Sequence, residues 1–141
     1  MTRYCLDTSA YSHFKRGHPA VVGLIDSAEW VGMPAVTIGE LWTGFLHGTR
    51  VTANEAELEE FLENPAVELL PIDDQVARVY GEIVVELKRK GTPLPTNDIW
   101  IAATAARAGA TVLTYDPHFA QIGRVGSLVL EPDMPPPAPG A

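Results

Sequence analysis

Cysteine is almost absent from this chain. Cys5 stands by itself among 141 residues, so an internal disulfide framework is excluded, and a cytoplasmic location is the simplest reading. Inside its apolar run, Cys5 reads as a small core residue rather than a nucleophile. Apolar runs are short, and none approaches the roughly 20 residues that a membrane-spanning helix needs. Met1-Thr2-Arg3 leads straight into a strand-like segment, with no signal-type apolar region. Cations are scarce too: ten Lys and Arg against eighteen Asp and Glu leave a net charge of -8. A generic nucleic-acid coat is thereby excluded, because affinity for phosphate comes from clustered cations. A nucleic-acid enzyme is not excluded, since acids gathered around metal would be offset locally. There is no internal repeat.

The length and the 46% hydrophobic content fit one domain with one core. Strand-like and helix-like segments alternate, which predicts an α/β fold with a mainly parallel sheet covered on both faces. Strands are expected at Arg3 to Leu6, Val31 to Val36, Val67 to Leu70, Thr111 to Thr114 and Ser127 to Leu130. Helices are expected from Thr8, over Ala20 to Ala28, from near Thr37, over Asn54 to Leu62, from Asp73 to a cap at Gly91, and over Ile99 to Ala108 with a cap at Gly109. Glu55, Glu57, Glu59, Glu60 and Glu63 read as one solvated helix face. Residues 1–131 form the expected domain, and the Pro-rich tail 132–141 is expected to be disordered.

Four carboxylates stand where an apolar run meets a loop or a helix start: Asp7, Glu40, Asp98 and Asp116. Each has an ordinary structural reading. Asp7 suits an N-cap for the helix at Thr8, and Thr37-Ile38-Gly39-Glu40 fits a capping box. Asp98 suits a cap before Ile99, and Asp116-Pro117 a turn. Taken together they point elsewhere. An open parallel sheet binds ligands beyond the carboxyl ends of its strands, and all four can reach that rim. Ser9 and Thr114 supply hydroxyls to support them. Oxygen donors suit magnesium or manganese rather than zinc, and a pair of such ions can hydrolyse a phosphodiester.

The segments Leu6-Asp7-Thr8-Ser9, Thr37-Ile38-Gly39-Glu40-Leu41 with Gly44, Asn97-Asp98-Ile99-Trp100-Ile101-Ala102-Ala103 and Leu113-Thr114-Tyr115-Asp116-Pro117-His118-Phe119 resemble those of PIN-domain ribonucleases. Among these the chain resembles the toxin half of VapBC-type toxin-antitoxin pairs. The resemblance runs in order to about Glu131 and implies a three-layer fold with a five-stranded sheet. It further implies a magnesium- or manganese-dependent endoribonuclease, RNA as substrate, inhibition by a cognate VapB-type antitoxin, and a homodimer. Asp7, Glu40, Asp98 and Asp116 match the acidic quartet, with Asp7 and Asp98 as the strongest direct metal ligands. Glu40 would bind metal or orient the attacking water, and Asp116 would act at the edge of the site. His118 stands where many relatives carry a further acid, so one well-held ion and a looser second one are expected.

Other residues are read as structural. Lys88-Arg89-Lys90 complements a helix dipole, and Trp42 and Trp100 suit core or dimer contacts. His13, His18, His47 and His118 show no spacing that pairs them, and His118 reads as a solvated loop residue. Arg3, Lys15, Arg16 and Arg50 are scattered candidates for phosphate contacts. The alternative function is a catalytically silent PIN-like module that binds RNA or protein. A phosphoacceptor receiver fits poorly, because no Asp lies between Asp26 and Asp73 and residues 114 to 119 contain no Lys.

Overall fold

The computed structural model describes residues 2–136. Its described residues form five strands: β1 (Arg3–Leu6), β2 (Trp30–Pro34), β3 (Val67–Leu70), β4 (Thr111–Thr114) and β5 (Ser127–Val129). Six α-helices connect them: α1 (Thr8–Lys15), α2 (Pro19–Ser27), α3 (Ala35–His47), α4 (Val51–Glu63), α5 (Asp74–Lys90) and α6 (Thr96–Ala108). A 3-10 helix, Pro117–Gln121, lies between β4 and β5. The strands form a parallel sheet in the order β3-β2-β1-β4-β5. The α/β architecture expected from the alternation is what forms.

A parallel sheet buries both faces at its centre, so its central strands β1, β2 and β4 are largely apolar and buried. Cys5 and Val112 point into a core shared with α5 and α6, where Ile83, Leu87, Ile99 and Ala102 pack. The alternate residues Leu6, Leu113, Val31 and Met33 point into the opposite layer, where α1, α2 and α4 contribute Tyr11, Val21 and Leu58. Burial pushes the Cys5 thiol up to about 12, against a smaller lowering pull from Arg3. That keeps it protonated and unreactive, as a core residue should be. At Gly32, a Cβ would stand 2.5 Å from the Trp30 ring and 2.7 Å from Leu70, so any larger residue there would have to displace the side chains packed between β2 and β3.

The helix ends explain which expectations hold. Gly91 and Gly109 close α5 and α6 in the left-handed conformation, with φ of 71° and 66°. Two helix starts lie earlier than the sequence pattern suggests. Pro34 and Pro95 occupy the N-cap positions of α3 and α6, where the lack of an N–H does no harm. Helix α4 likewise starts at Val51 rather than Asn54.

The strand order reverses between β1 and β4. The chain runs outward from β1 through β2 to β3, then crosses back to place β4 on the other side of β1. Residues that follow β1 and β4 therefore meet at the switch point of the sheet, the usual ligand crevice of such folds. Beyond β5, Met134 packs against the core and its N–H donates to the Glu131 carbonyl at 3.0 Å. The last part of the proline-rich tail, 137–141, lies outside the described residues. Among the described residues, no helix is long and apolar enough to cross a membrane.

Candidate metal centre

Strand pairing sets the floor of the site. Leu6 is in register with Leu113, so the next residues, Asp7 and Thr114, leave the sheet side by side. Asp7 is 5% exposed and caps α1, accepting the Ala10 N–H at 2.9 Å. The Ser9 hydroxyl lies 2.8 and 2.9 Å from its two oxygens, and the Thr114 hydroxyl donates to Oδ2 at 2.5 Å. Thr114 and Ser9 in turn accept the N–H groups of Asp116 and Tyr115, at 2.8 and 3.0 Å. Both hydroxyls singled out in the sequence thus support one carboxylate, which is capped and fixed. Burial raises the Asp7 carboxyl above its ordinary range even against those hydrogen bonds, and Asp116 adds to the rise.

The helices supply the rim. Thr37, fully buried, donates its hydroxyl to the Leu6 carbonyl at 2.8 Å, pinning the first turn of α3 to the end of β1. A capping box is therefore not formed. The helix already starts at Ala35, the Thr37 hydroxyl is engaged across the fold, and Glu40 is free to face the site. Glu40 Oε1 accepts the Thr8 hydroxyl at 2.6 Å, and Oε2 the Asn97 side-chain N–H at 3.3 Å. Asn97 thus ties α6 to α3 beside Asp98. Asp98 does not cap α6; it sits in the first turn, behind the Pro95 N-cap.

Asp116 caps the 3-10 helix, accepting the His118 N–H at 2.9 Å. That helix is anchored by Phe119, fully buried, which stabilises by about 1.5–3 kcal/mol. One donor atom each from Asp98, Asp116 and His118 lie within 4.8 Å of one another. A histidine thus joins the acids where oxygen donors alone were expected: His118 Nδ1 stands 3.1 Å from Asp116 Oδ1. Its position had no periodic signal in the sequence. The clue was only that Pro117 opens a turn between an acid and a histidine.

The electrostatics record the convergence. Burial, then the negative charges of Asp116, Glu40 and Asp7, push Asp98 up to about 6, with His118 acting in the opposite sense. Among the described residues, no Lys or Arg forms an ion pair with any of the four acids. Like charges gathered without a Lys or Arg partner match the donor set that a hard or borderline divalent ion takes.

Other sequence candidates lie apart from this cluster. His13 and His18 do meet, ring edge to ring face at 4.6 Å, and His13 stacks on Tyr115 at 3.8 Å. The His13 Nδ1–H donates to the Ser9 carbonyl at 2.8 Å, so this ring is part of the support beneath the site. Trp100 stacks on Tyr80 at 3.8 Å and Trp42 contacts Phe45, which are packing roles. Arg3 lies over the Trp30 ring and donates to the Ala108 carbonyl, away from the acids. Lys15, Arg16 and Arg50 come together instead, lining a cavity of about 350 Å³ with Ser12, Asn54 and Glu57.

The PIN domain family model matches residues 4–125. Ribonuclease VapC5 of Mycobacterium tuberculosis is 31% identical over 123 residues, covering 87% of this chain and 90% of that protein. Among solved structures, FitAcB from Neisseria gonorrhoeae is 32% identical with a TM-score of 0.72, over 88% of this chain and 95% of that one. VapBC2 from Rickettsia felis, solved bound to a DNA fragment from their promoter, shares the fold at a TM-score of 0.82 and 22% identity, over 92% of this chain and 100% of that one. Fold, family match and relatives agree: the chain belongs to the PIN-domain family, among its VapC-type members.

Proposed function

We propose that the chain is a magnesium- or manganese-dependent endoribonuclease, the toxin of a toxin-antitoxin pair. One observation carries this reading. Four carboxylates from four separate segments converge at the switch point of the sheet, with no Lys or Arg of the described residues to neutralise them. Asp7, Glu40, Asp98 and Asp116 would hold the ion. When bound, it activates a water and stabilises the charge that develops on the phosphodiester.

The chain's own groups divide the remaining work. Ser9, Thr114 and the Ala10 N–H hold Asp7 in one orientation, so no reorganisation is needed as charge develops. Glu40, held at both oxygens by Thr8 and Asn97, is placed to bind metal or align a water. Cations are grouped further along α1. Thr8, Ser12 and Lys15 recur at helical spacing on α1, with Arg16 at its C-cap, so a stripe on that helix runs from the Glu40 partner to the basic cavity. A strand seated at the acids and running along that stripe would bring its neighbouring phosphates to these cations. That arrangement supports RNA as the substrate of an otherwise acidic protein.

The similar structures of VapBC complexes support a VapB-type antitoxin as the partner of this chain, and the proposal includes inhibition by that partner and a homodimer of the chain. The test is cleavage of defined RNAs with magnesium, manganese or chelator, for the chain and for Asp98→Asn and Glu40→Gln. Metal-dependent cleavage lost in both variants is the expected result. Full activity in both, or in chelator, would sink the proposal, and no cleavage of any RNA would leave a silent binding module.

A further inference from the structure

Resting on the metal-centre reading above, we infer that His118 supplies a nitrogen ligand to the ion held by Asp98 and Asp116, and that this chain therefore prefers Mn²⁺ to Mg²⁺. Distances on the rim carry the inference. An octahedral ion with donors at about 2.1 Å places adjacent donors roughly 3 Å apart. His118 Nδ1 and Asp116 Oδ1 already stand 3.1 Å apart, and Asp98 offers an oxygen within 4.8 Å of both residues. All three donor atoms thus lie within 4.8 Å of one another, in reach of a single ion.

Backbone geometry builds this spacing. Pro117 opens the 3-10 helix, Asp116 caps it through the His118 N–H, and buried Phe119 fixes the turn from beneath. His118 is thereby held beside the acid two residues earlier, while its ring is 55% exposed and open to an arriving ion. The Nδ1 contact to Asp116 is also what a plain ion pair would show, so the test must separate ligation from pairing.

Ion choice follows from the donors. Mg²⁺ gives up water reluctantly and takes oxygen ligands, whereas imidazole suits softer ions. Two carboxylates and one imidazole form a mixed set that Mn²⁺ accepts more readily than Mg²⁺ does.

The experiment uses the full chain with Mn²⁺ as probe. Electron spin-echo spectroscopy detects nitrogen bound to Mn²⁺, and titration with Mg²⁺ as competitor gives the affinity ratio. The nitrogen signal is expected in the native chain and lost in His118→Ala and His118→Asn. The Mn²⁺ preference should fall about tenfold or more in both variants. A site that binds Mn²⁺, loses it in Asp98→Asn, yet shows no nitrogen signal overturns the His118 assignment and leaves the nuclease proposal standing. The same holds if the signal persists in His118→Ala or the ratio does not move. Failure of Mn²⁺ to bind at all overturns both.

Discussion

Asp7 and Asp98 bring the same carboxylate to one crevice from opposite regimes. Asp7, on the floor, is buried and held by Ala10, Ser9 and Thr114. Asp98, on the rim, is half-exposed and surrounded by other acids. Both have raised pKa values, led in each case by burial, but their remaining causes differ. Donors work against the rise at Asp7, whereas three neighbouring anions add to it at Asp98. The floor thus stores its order in hydrogen bonds, and the rim stores repulsion that a cation would relieve. Position in the fold, not residue type, divides a carboxylate fixed by donors from one left under repulsion.

The sharpest way to break this comparison is Asp98→Asn. Removing a metal ligand forfeits several kcal/mol of transition-state stabilisation, a loss on the order of a thousandfold in cleavage rate. The metal-free fold should be unharmed or slightly firmer, because a repelled charge has gone. Single-turnover RNA cleavage and a melting curve on the same sample check both halves. A marked fall in melting temperature would mean that Asp98 belongs with the floor.

The floor is probed by Thr114→Val. Valine keeps the shape but removes the donor to Asp7 and the acceptor for the Asp116 N–H, at a cost of about 1–3 kcal/mol. Melting should drop by several degrees. If only activity fell, Thr114 would be a chemical group and the division drawn above would be wrong.

How far this division could be read in advance depends on what kind of contact makes it. Strand positions, the α/β alternation and the glycine ends of α5 and α6 follow from local pattern, because burial on two faces and a left-handed cap leave marks in consecutive residues. Asp7, Asp116 and the hydroxyls of Ser9 and Thr114 were legible by position at or just after strand ends. The assignments at Glu40 and Asp98 were not. Their helices start at the prolines, and the Thr37 hydroxyl that would have closed a capping box bonds Leu6, thirty-one residues away. His118 is close to its partner in sequence, but only the 3-10 turn brings its ring to the acids. The His13–His18–Tyr115 stack needs α1, the start of α2 and the end of β4 together, and no spacing announces it.

Acid should act on the rim in a predictable sense. Asp98 has a folded value of about 6 against an ordinary 3.8, so between these values the folded chain binds more protons than the unfolded one. Its contribution to stability therefore rises as pH falls from 7 through 6 and levels off below about 4. Denaturant midpoints for the metal-free chain at pH 7 and pH 5, compared with those for Asp98→Asn, isolate this contribution. The native chain should gain more on acidification than the variant, by a margin discounted for its partial exposure. Saturating Mn²⁺ should remove or invert that gain, because protons and metal compete for the same oxygen. An equal pH response in the two chains would mean that the rim is not under strain.

The smallest effects belong to a third place, the cavity of Lys15, Arg16 and Arg50 at the far end of α1. If floor and rim handle metal, the cations should handle substrate, and the two should separate in kinetics. Lys15 lies 4.0 Å from Glu57, a contact too exposed to matter for stability, so replacing it tests binding with little damage to the fold. Lys15→Ala, Arg16→Ala and Arg50→Ala should each raise KM a few-fold, about 1 kcal/mol or less, with kcat unchanged. The dependence of RNA affinity on salt should flatten by about 0.7 in log-log slope for each phosphate contact removed. A fall in kcat would place these cations in the chemistry and erase the boundary between the two ends of α1. An unchanged slope would show that the strand leaves the acids by another path, with Lys15 serving only Glu57. A dinucleotide substrate sharpens the reading: its single phosphate would be taken by the acids and leave none for the cavity, so it should be cleaved equally well by the native chain and by all three variants.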